Sequence, residues 1–206
     1  MPTDDAAPLR ADARRNLEKI MSAARDVVVE HGLDAPMELV ARRAGVGVGT
    51  LYRRFPTREA LLGAVAEAYV ADLVTATRRI IDGAVDSWSA LRELVDWCAS
   101  PGQGALAAAL ADLPVAQVQA LPAFARSRHE WLELLDGLVT DGQRAGMIRA
   151  DIGTGDLVAL LTVFTCHPDQ LPRHVADQPA RYLHLMLDAL AATAPRATPL
   201  PGTPPS

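Results

Sequence analysis

The feature that most limits what this chain can fold into is the stretch at residues 42–62, RRAGVGVGTLYRRFPTREALL. Two short runs of helix-forming residues flank a glycine-rich middle, and Leu51 and Phe55 are spaced to point back toward neighbouring helices. Two helices joined by a glycine-containing turn, with the second packed on a third helix, form a helix-turn-helix. In that motif the second helix enters the major groove of DNA. The stretch therefore predicts a DNA-reading element.

The glycines and arginines of this stretch suit a DNA-binding surface. Gly47 and Gly49 remove side chains from the leading end of the second helix, which lets its backbone approach base edges and phosphates. Val48 between them offers an apolar contact for a thymine methyl group. The remaining candidates supply hydroxyl groups or positive charge for phosphates and bases. They are Thr50, Tyr52, Arg53, Arg54 and Arg58.

Composition favours helices over the whole chain. Of the 206 residues, 50% are hydrophobic and 22% charged, so the chain can bury a substantial core, while aromatic residues make up only 4%. Alanine, leucine and arginine dominate, and β-branched residues do not alternate as they do in strands. The formal net charge is −5, so the arginines of residues 42–62 are a local basic feature that favours a confined anionic partner. The predicted fold class is all-α.

Apolar residues at helical spacing, interrupted by glycine and proline, divide the chain into four parts. Residues 1–11 are expected to be a flexible arm, residues 12–56 a three-helix DNA-binding domain, residues 57–194 a larger helical domain, and residues 195–206 a disordered proline-rich tail. About nine helices are expected in total. Their approximate ranges are 12–31, 37–44, 47–54, 57–82, 87–99, 105–113, 123–146, 154–166 and 179–193.

Several protein classes are not expected. The N-terminus has acidic residues where a secretory signal needs basic ones, and no apolar run is expected to span a bilayer, which takes roughly 20 residues. A cytoplasmic location is therefore predicted. Cys98 and Cys166 are far apart in the sequence and are expected to be buried thiols. The histidines show no paired metal-ligand spacing, and no glycine-framed nucleophile or phosphate loop occurs, so no metal, cofactor or enzymatic activity is expected.

Residues from about 14 to 73 resemble the DNA-binding domain of TetR-family transcriptional regulators. The resemblance rests on AARDVVVEHG in the first helix, ELVARRAGV in the second, and GTLYRRFPTREALL from the third into the fourth. It implies that Met37, at the start of the second helix, lies near the DNA backbone. It also divides the other candidates between those nearest the bases, which are Val48, Gly49, Thr50 and Arg53, and those mainly on phosphates, which are Tyr52, Arg54 and Arg58.

The chain departs from the family pattern around the second and third helices. Family members often carry Ser or Thr just before the second helix, where this chain has Ala35 and Pro36. They often have serine at the position of Gly47 and a polar or basic side chain at that of Val48. Direct base reading is therefore expected to contribute less here, and the shape of the DNA correspondingly more.

A homodimer is expected, because a short recognition helix contacts few base pairs and specific binding needs two copies on a palindromic operator. The resemblance implies that the last two helices of each subunit form a four-helix bundle across a two-fold axis. Alternatively, the apolar residues of these helices form an internal core. The implied interface residues are Leu157, Leu161, Phe164, Tyr182, Leu183, Met186, Leu187 and Leu190.

The middle helices are interpreted as a ligand chamber by analogy with the family, and no motif supports this. Aromatic side chains with a few polar neighbours suit an apolar pocket. The candidates are Trp88, Trp97, Phe124, Arg128, His129 and Trp131. The predicted function is that of a dimeric DNA-binding repressor, which a small apolar or amphipathic ligand releases from its operator by shifting the fourth helix.

Two other functions remain open from the sequence. A metal-sensing regulator would use histidines such as His129 and His184 with Cys166, and metal analysis of the purified protein would identify it. A helical interaction protein without DNA binding would show no salt-dependent affinity for any duplex, whereas the DNA-binding interpretation predicts a steep salt dependence.

Overall fold

The computed structural model describes residues 6–166 and 170–192. Within these ranges the chain forms helices and no strand, which confirms the predicted all-α class, and one isolated bridge pairs Ile148 with Ala191. The helices are α1 (Ala6–His31), α2 (Met37–Ala44), α3 (Val48–Arg54), α4 (Arg58–Gly83), α5 (Ser87–Ala99), α6 (Pro101–Ala111), α7 (Val115–Gln119), α8 (Pro122–Arg144), α9 (Thr154–Thr165), α10 (Arg173–Ala176) and α11 (Pro179–Leu190).

The described ranges contain eleven helices, two more than the nine expected. The additional ones are the short helices α7 and α10, which lie in proline-containing segments predicted to be loops. Pro114 and Pro172 stand directly before them. Helix α6 likewise begins at Pro101 and not near residue 105. The reason is the same in each case, since the fixed φ angle of proline starts a helix as readily as it ends one.

Helix α1 begins at Ala6, so its first turns occupy part of the segment predicted to be a flexible arm. Pro8 lies in the first turn, where a main-chain N–H would have no partner within the helix, and it therefore does not interrupt the helix. Asp12, predicted as the N-terminal cap, instead lies inside α1 and pairs with Arg15. Residues 1–5 and the predicted tail at residues 195–206 lie outside the described residues.

The chain divides into two compact units, Met1–Ala66 and Glu67–Ser206. The division lies within α4, later than the predicted boundary after residue 56. The first two turns of α4 bury Leu61, Leu62 and Val65 and count with the N-terminal helices. A helix-turn-helix unit thus includes the start of the helix that follows it.

The first unit is built from α1, α2, α3 and the start of α4. Side chains at helical spacing fill its core, as the sequence pattern predicts, and Ile20, Val27, Val40 and Leu51 are almost completely buried. Helix α2 ends at Gly45, whose φ of 65° is in the left-handed region that favours glycine.

The second unit contains the remainder of α4 and helices α5 to α11. One continuous core joins α4, α5, α8, α9 and α11. Its most deeply buried large side chains are Ile80, Leu91, Leu94, Leu135, Ile148, Leu157 and Leu183. Gln143 ties the loop after α8 in place, because its amide nitrogen donates to the carbonyl oxygens of Arg149 (3.0 Å) and Ile152 (2.9 Å).

Helix α4 corrects the expectation that no segment could span a bilayer. By length and composition alone it is long and apolar enough to cross a membrane. However, 56% of the apolar stretch is buried inside the protein. Burial explains the apolar composition, because a core helix needs the same residues as a membrane helix.

Candidate nucleic-acid interface

The turn between α2 and α3 sets the start of the recognition helix. Gly47 precedes α3, and its carbonyl oxygen accepts hydrogen bonds from the main-chain N–H groups of Thr50 (2.8 Å) and Leu51 (3.2 Å). Its φ of −65° and ψ of 141° are accessible to any residue. The backbone conformation at Gly47 therefore gives no reason for glycine.

Packing gives no reason for the two glycines either. A side-chain carbon at Gly47 would meet only the Thr50 hydroxyl oxygen, at an ordinary 3.8 Å, and one at Gly49 would meet nothing within 4 Å. Glycine inside a helix also costs about 0.5–1 kcal/mol relative to alanine. Since the fold requires neither glycine, the bare backbone at the start of α3 suits a close approach by something outside the subunit.

Helix α3 has one face in the core and one face in solvent. Leu51 is 0% exposed and Phe55 is buried, and together they hold the helix on the first unit. On the other face, the side chains of Val48 and Tyr52 are each 40% exposed. The predicted orientation of this helix is therefore what the structure has.

The arginines near α3 differ in their partners. Arg53 donates to the Thr50 hydroxyl (3.1 Å) and Arg54 lies 5.9 Å from the ring centre of Phe55. Neither forms a salt bridge with a carboxylate of the described residues. By contrast, the Arg58 guanidinium lies 3.3 Å from Asp34, and that of Arg43 lies 2.6 Å from Glu30. Arg53 and Arg54 are therefore the arginines best placed to bind an external anion.

Two other polar side chains near α3, Arg43 and Tyr52, have glutamate partners within the subunit. The hydrogen bond from Arg43 is the main cause that lowers the pKa of Glu30 below its ordinary value. The Tyr52 hydroxyl is 3.4 Å from Glu38, which is a long hydrogen bond on an exposed pair. Tyr52 can therefore exchange this contact for one to a phosphate at low energetic cost.

Met37 is the first residue of α2, as the resemblance implies, and its proximity to DNA stays a prediction. It is only 4% exposed, because it is the first residue of α2 and turns its apolar side chain into the core of the first unit. Pro36 before it makes no side-chain cap. Only the main chain of Met37 is left for contact with a ligand.

The six ligand candidates do not come together around one cavity. Trp88, Trp97 and Trp131 are half-buried and pack against the core of the second unit. The indole N–H of Trp131 donates to the buried Thr77 hydroxyl (3.1 Å), so this side chain is already satisfied inside the core. Phe124 is also half-buried, on the first turn of α8. The three tryptophans thus contribute to packing, which the sequence pattern could not distinguish from lining a pocket.

Arg128 and His129 instead lie on a surface groove between α8 and α9, which we call the α8–α9 groove. Its volume is about 570 Å³. The His129 imidazole is 3.3 Å from Glu133, and the Thr154 hydroxyl donates to Asp136 (2.8 Å). The lining residues are Arg128, His129, Leu132, Glu133, Asp136, Thr154, Gly155, Val158 and Ala159. Sequence reasoning did not place α9 beside these residues, although the largely apolar composition of that helix was an available signal.

Most of the predicted dimer residues belong to the core of their own subunit. Leu157, Leu161, Leu183, Leu187 and Leu190 are all buried in the second unit, where they form part of its core. The rings of Phe164 and Tyr182 stack on each other, with centres 6.4 Å apart, and Met186 packs beside the core. The exposed apolar side chains on these helices are Val163 (45%) and Leu185 (54%). These two exposed side chains were not among the residues predicted at the interface, and the interface on α9 and α11 stays a prediction.

The cysteines are consistent with inert thiols. Cys98 is buried, and burial raises its pKa to about 12. Burial also raises the pKa of Cys166. A thiol with a raised pKa is a poor nucleophile and a poor metal ligand. Among the described residues, no group of three or more His, Cys, Asp or Glu side chains could hold a metal ion.

Family profiles match both units of the chain. The profile described as bacterial regulatory proteins, tetR family, matches residues 20–65. The profile described as transcriptional regulator SbtR-like, C-terminal domain, matches residues 82–192.

Similar proteins include solved regulators and a curated relative. A TetR regulatory protein of Mycobacterium vanbaalenii is 34% identical, with a TM-score of 0.64, and the match covers 89% of this chain and 99% of that one. A TetR transcriptional regulator of Streptomyces coelicolor is 36% identical, with a TM-score of 0.63, over 84% of this chain and 97% of that one. The HTH-type transcriptional regulator YvdT of Bacillus subtilis is 35% identical over 80 residues, which span 38% of this chain and 41% of the relative.

Proposed function

This chain belongs to the TetR family of bacterial transcriptional regulators, and from that premise we propose that it is a dimeric, cytoplasmic repressor released from a palindromic operator by a small amphipathic ligand. The family is one of DNA-binding regulators and not of enzymes. The family match also favours DNA binding over a helical interaction protein.

The observation that carries the proposal is the surface of α3. The packing of the subunit does not require glycine at Gly47 or Gly49. Val48 is exposed between them, and Arg53 and Arg54 form no salt bridge with a described carboxylate. A bare backbone, an apolar contact and unpaired positive charge are what the major groove and its phosphates require. Val48 and Gly49 would meet the bases. Arg54 would meet the adjacent phosphates, together with Arg53, which the family resemblance places nearer the bases.

Dimerisation follows from the small size of this surface. One short helix contacts few base pairs, so two copies on a symmetric site are needed for specific affinity. Helix α9 is largely apolar, and its Val163 stays exposed while Leu157 and Leu161 lie in the core. We therefore assign the subunit contact to the outward faces of α9 and α11 around Val163 and Leu185.

The ligand is assigned to the α8–α9 groove. A volume of about 570 Å³ falls within the roughly 300–1,000 Å³ typical of small-molecule sites. Leu132, Val158 and Ala159 provide an apolar floor, while Arg128 and His129 provide cationic or hydrogen-bonding groups at the rim. This pattern favours an amphipathic molecule with a polar or anionic end. Repression is favoured over activation, because a dimer on DNA blocks transcription without a polymerase-contact surface.

The test is selection of random duplexes by the purified protein, followed by affinity measurement at several salt concentrations. We expect a palindromic site bound by a dimer, with a steep loss of affinity as salt rises. Replacing Arg53 or Arg54 by alanine should flatten the log–log slope by about one unit for each lost phosphate contact. Arg92→Ala, an exposed arginine on α5, is the matched control and should leave the slope unchanged.

Two results would contradict the proposal. If the protein selects no duplex at low salt, DNA binding itself is wrong. If the selected sites lack symmetry and a monomer binds them with full affinity, dimerisation is wrong while DNA binding stands.

A further inference from the structure

A second groove lies beside the recognition helix, within the first unit. It is formed by α1 and α3, has a volume of about 290 Å³, and we call it the α1–α3 groove. Its lining residues are Ala13, Asn16, Leu17, Ile20, Thr50, Arg53 and Arg54. The family match begins at residue 20, so three of the four α1 residues precede the part of the chain that the family describes. The groove thus joins the candidate DNA-reading residues to residues of α1 that were not among the predicted DNA contacts.

The groove has an apolar floor and a polar, cationic rim. Ile20 and the half-buried Leu17 form the floor, while the Asn16 amide and the guanidinium groups of Arg53 and Arg54 stand at the rim. A sugar-phosphate backbone has the complementary chemistry, because the deoxyribose ring is largely apolar and the phosphate is anionic. A small anion would match only the cationic rim, and a purely apolar partner would match only the floor.

Helix α1 presents its part of the groove rigidly. Because α1 starts at Ala6, residues 13–17 lie in the helix interior and not at a fraying end. The arginines of this segment pair with carboxylates along the helix, Arg15 with Asp12 and Arg14 with Glu18. Asn16 is therefore the polar side chain of residues 13–17 that faces α3.

We propose that the α1–α3 groove holds the sugar-phosphate backbone of one operator strand next to α3, with Asn16 as a further DNA-contacting residue. The Asn16 amide donates a hydrogen bond to a phosphate oxygen, Leu17 packs against the neighbouring deoxyribose, and Arg53 and Arg54 supply the charge. The inference rests on the proposed function, since it needs α3 to lie in the major groove. Contacts of this kind fix the register of α3 on the duplex and carry no sequence information.

The experiment uses the full chain and the duplex selected by the wild type. Asn16→Ala removes one hydrogen bond and should weaken binding about 3- to 10-fold. Asn16→Asp places a negative charge against the phosphate and should weaken it more. The matched control is Ser22→Asp, which adds the same charge to an exposed position outside the groove. Thermal unfolding of each variant separates loss of contact from loss of fold.

Hydroxyl-radical footprinting gives a readout that a merely structural role would not change. We expect the wild type to protect a short run of sugars beside the α3 contact in each half-site, and Asn16→Asp to lose that protection. Random-duplex selection with Asn16→Ala should return the wild-type sequence.

Three outcomes are distinguishable. If the wild type binds a duplex but the Asn16 variants bind within twofold of it and protect the same sugars, the inference is overturned and the proposed function stands. If Asn16→Ala selects a different sequence, Asn16 reads a base and the backbone assignment is wrong. If the wild type binds no duplex, both proposals fail.

Discussion

At the scale of single residues, Gly45 after α2 and Gly49 in α3 separate the needs of the fold from the needs of binding. Gly45 is held at a positive φ and is required by the turn, whereas Gly49 has neither an unusual conformation nor a close neighbour. Glycine at position 49 is suboptimal for helix stability and unnecessary for packing, so we infer that a contact outside the subunit explains its presence.

Gly49→Ala should therefore change stability and DNA affinity in opposite directions. Alanine favours the helix, so the free energy of unfolding should stay the same or rise by up to about 1 kcal/mol. DNA affinity should fall at least several-fold, because the new methyl group holds the backbone away from the groove. Chemical denaturation and anisotropy titration on the selected duplex measure the two effects. Equal or tighter DNA binding by Gly49→Ala would show that the bare backbone is not needed.

At the scale of helices, α9 and α11 show that the apolar side chains of one helix can belong to two different surfaces. Their leucines fill the subunit core, yet Val163 and Leu185 remain exposed on the opposite faces. The periodicity of apolar residues predicts that these helices are partly buried. It does not predict which apolar residues lie in the core of their own subunit and which lie on its surface.

Substitutions on the exposed face of α11, at Leu185, and on its buried face, at Leu187, should have distinct effects. Leu185→Glu places a charge on the proposed subunit contact and should yield a folded monomer with weakened operator binding. Leu187→Ala removes buried side-chain volume and should cost about 2–5 kcal/mol of unfolding free energy. Sedimentation and thermal unfolding distinguish them. A fully dimeric Leu185→Glu would move the interface away from this face.

Two glycines on α8 provide a matched pair for packing. A side-chain carbon at Gly142 would lie 2.5 Å from the Cδ1 and 2.8 Å from the Cγ1 of the buried Ile148, whereas one at Gly137 would meet nothing within 4 Å. Gly142→Ala should lower the unfolding free energy by about 1–3 kcal/mol through overpacking. Gly137→Ala should raise it by about 0.5–1 kcal/mol. Denaturant titration checks both, and equal effects would mean that Ile148 repacks freely.

At the scale of the whole molecule, α4 is the helix with residues in both compact units. If a ligand in the second unit releases DNA from the first, this helix is the continuous element available to couple them. Such coupling must be reciprocal, since each ligand changes the affinity for the other by the same factor.

Fatty acids such as lauric and stearic acid are suitable amphipathic probes of the α8–α9 groove. A probe that binds there should weaken operator affinity, and the operator should weaken probe affinity by the same factor. Ala159→Trp should block the probe by filling the groove, while Ala125→Trp, exposed on α8 outside it, should not. Calorimetry with and without duplex measures both factors. If these probes bind the groove but leave operator affinity unchanged, coupling through the groove is wrong.

Much of the architecture follows from the sequence by itself. Helical spacing and the glycine and proline signals predict the long helices and place the helix-turn-helix at residues 37–54, because these depend on neighbours three or four positions apart. The orientation of α3 follows as well, since Leu51 and Phe55 leave only one face free.

Only the tertiary structure decided which apolar side chains meet. It turned Met37 into the core, gave Trp131 a partner in Thr77, and assigned Leu157 and Leu187 to the subunit interior. It also brought α1 against α3 and α8 against α9 to form the two grooves. Local spacing says that a residue will be buried but not against what, because that depends on contacts between segments far apart in the chain.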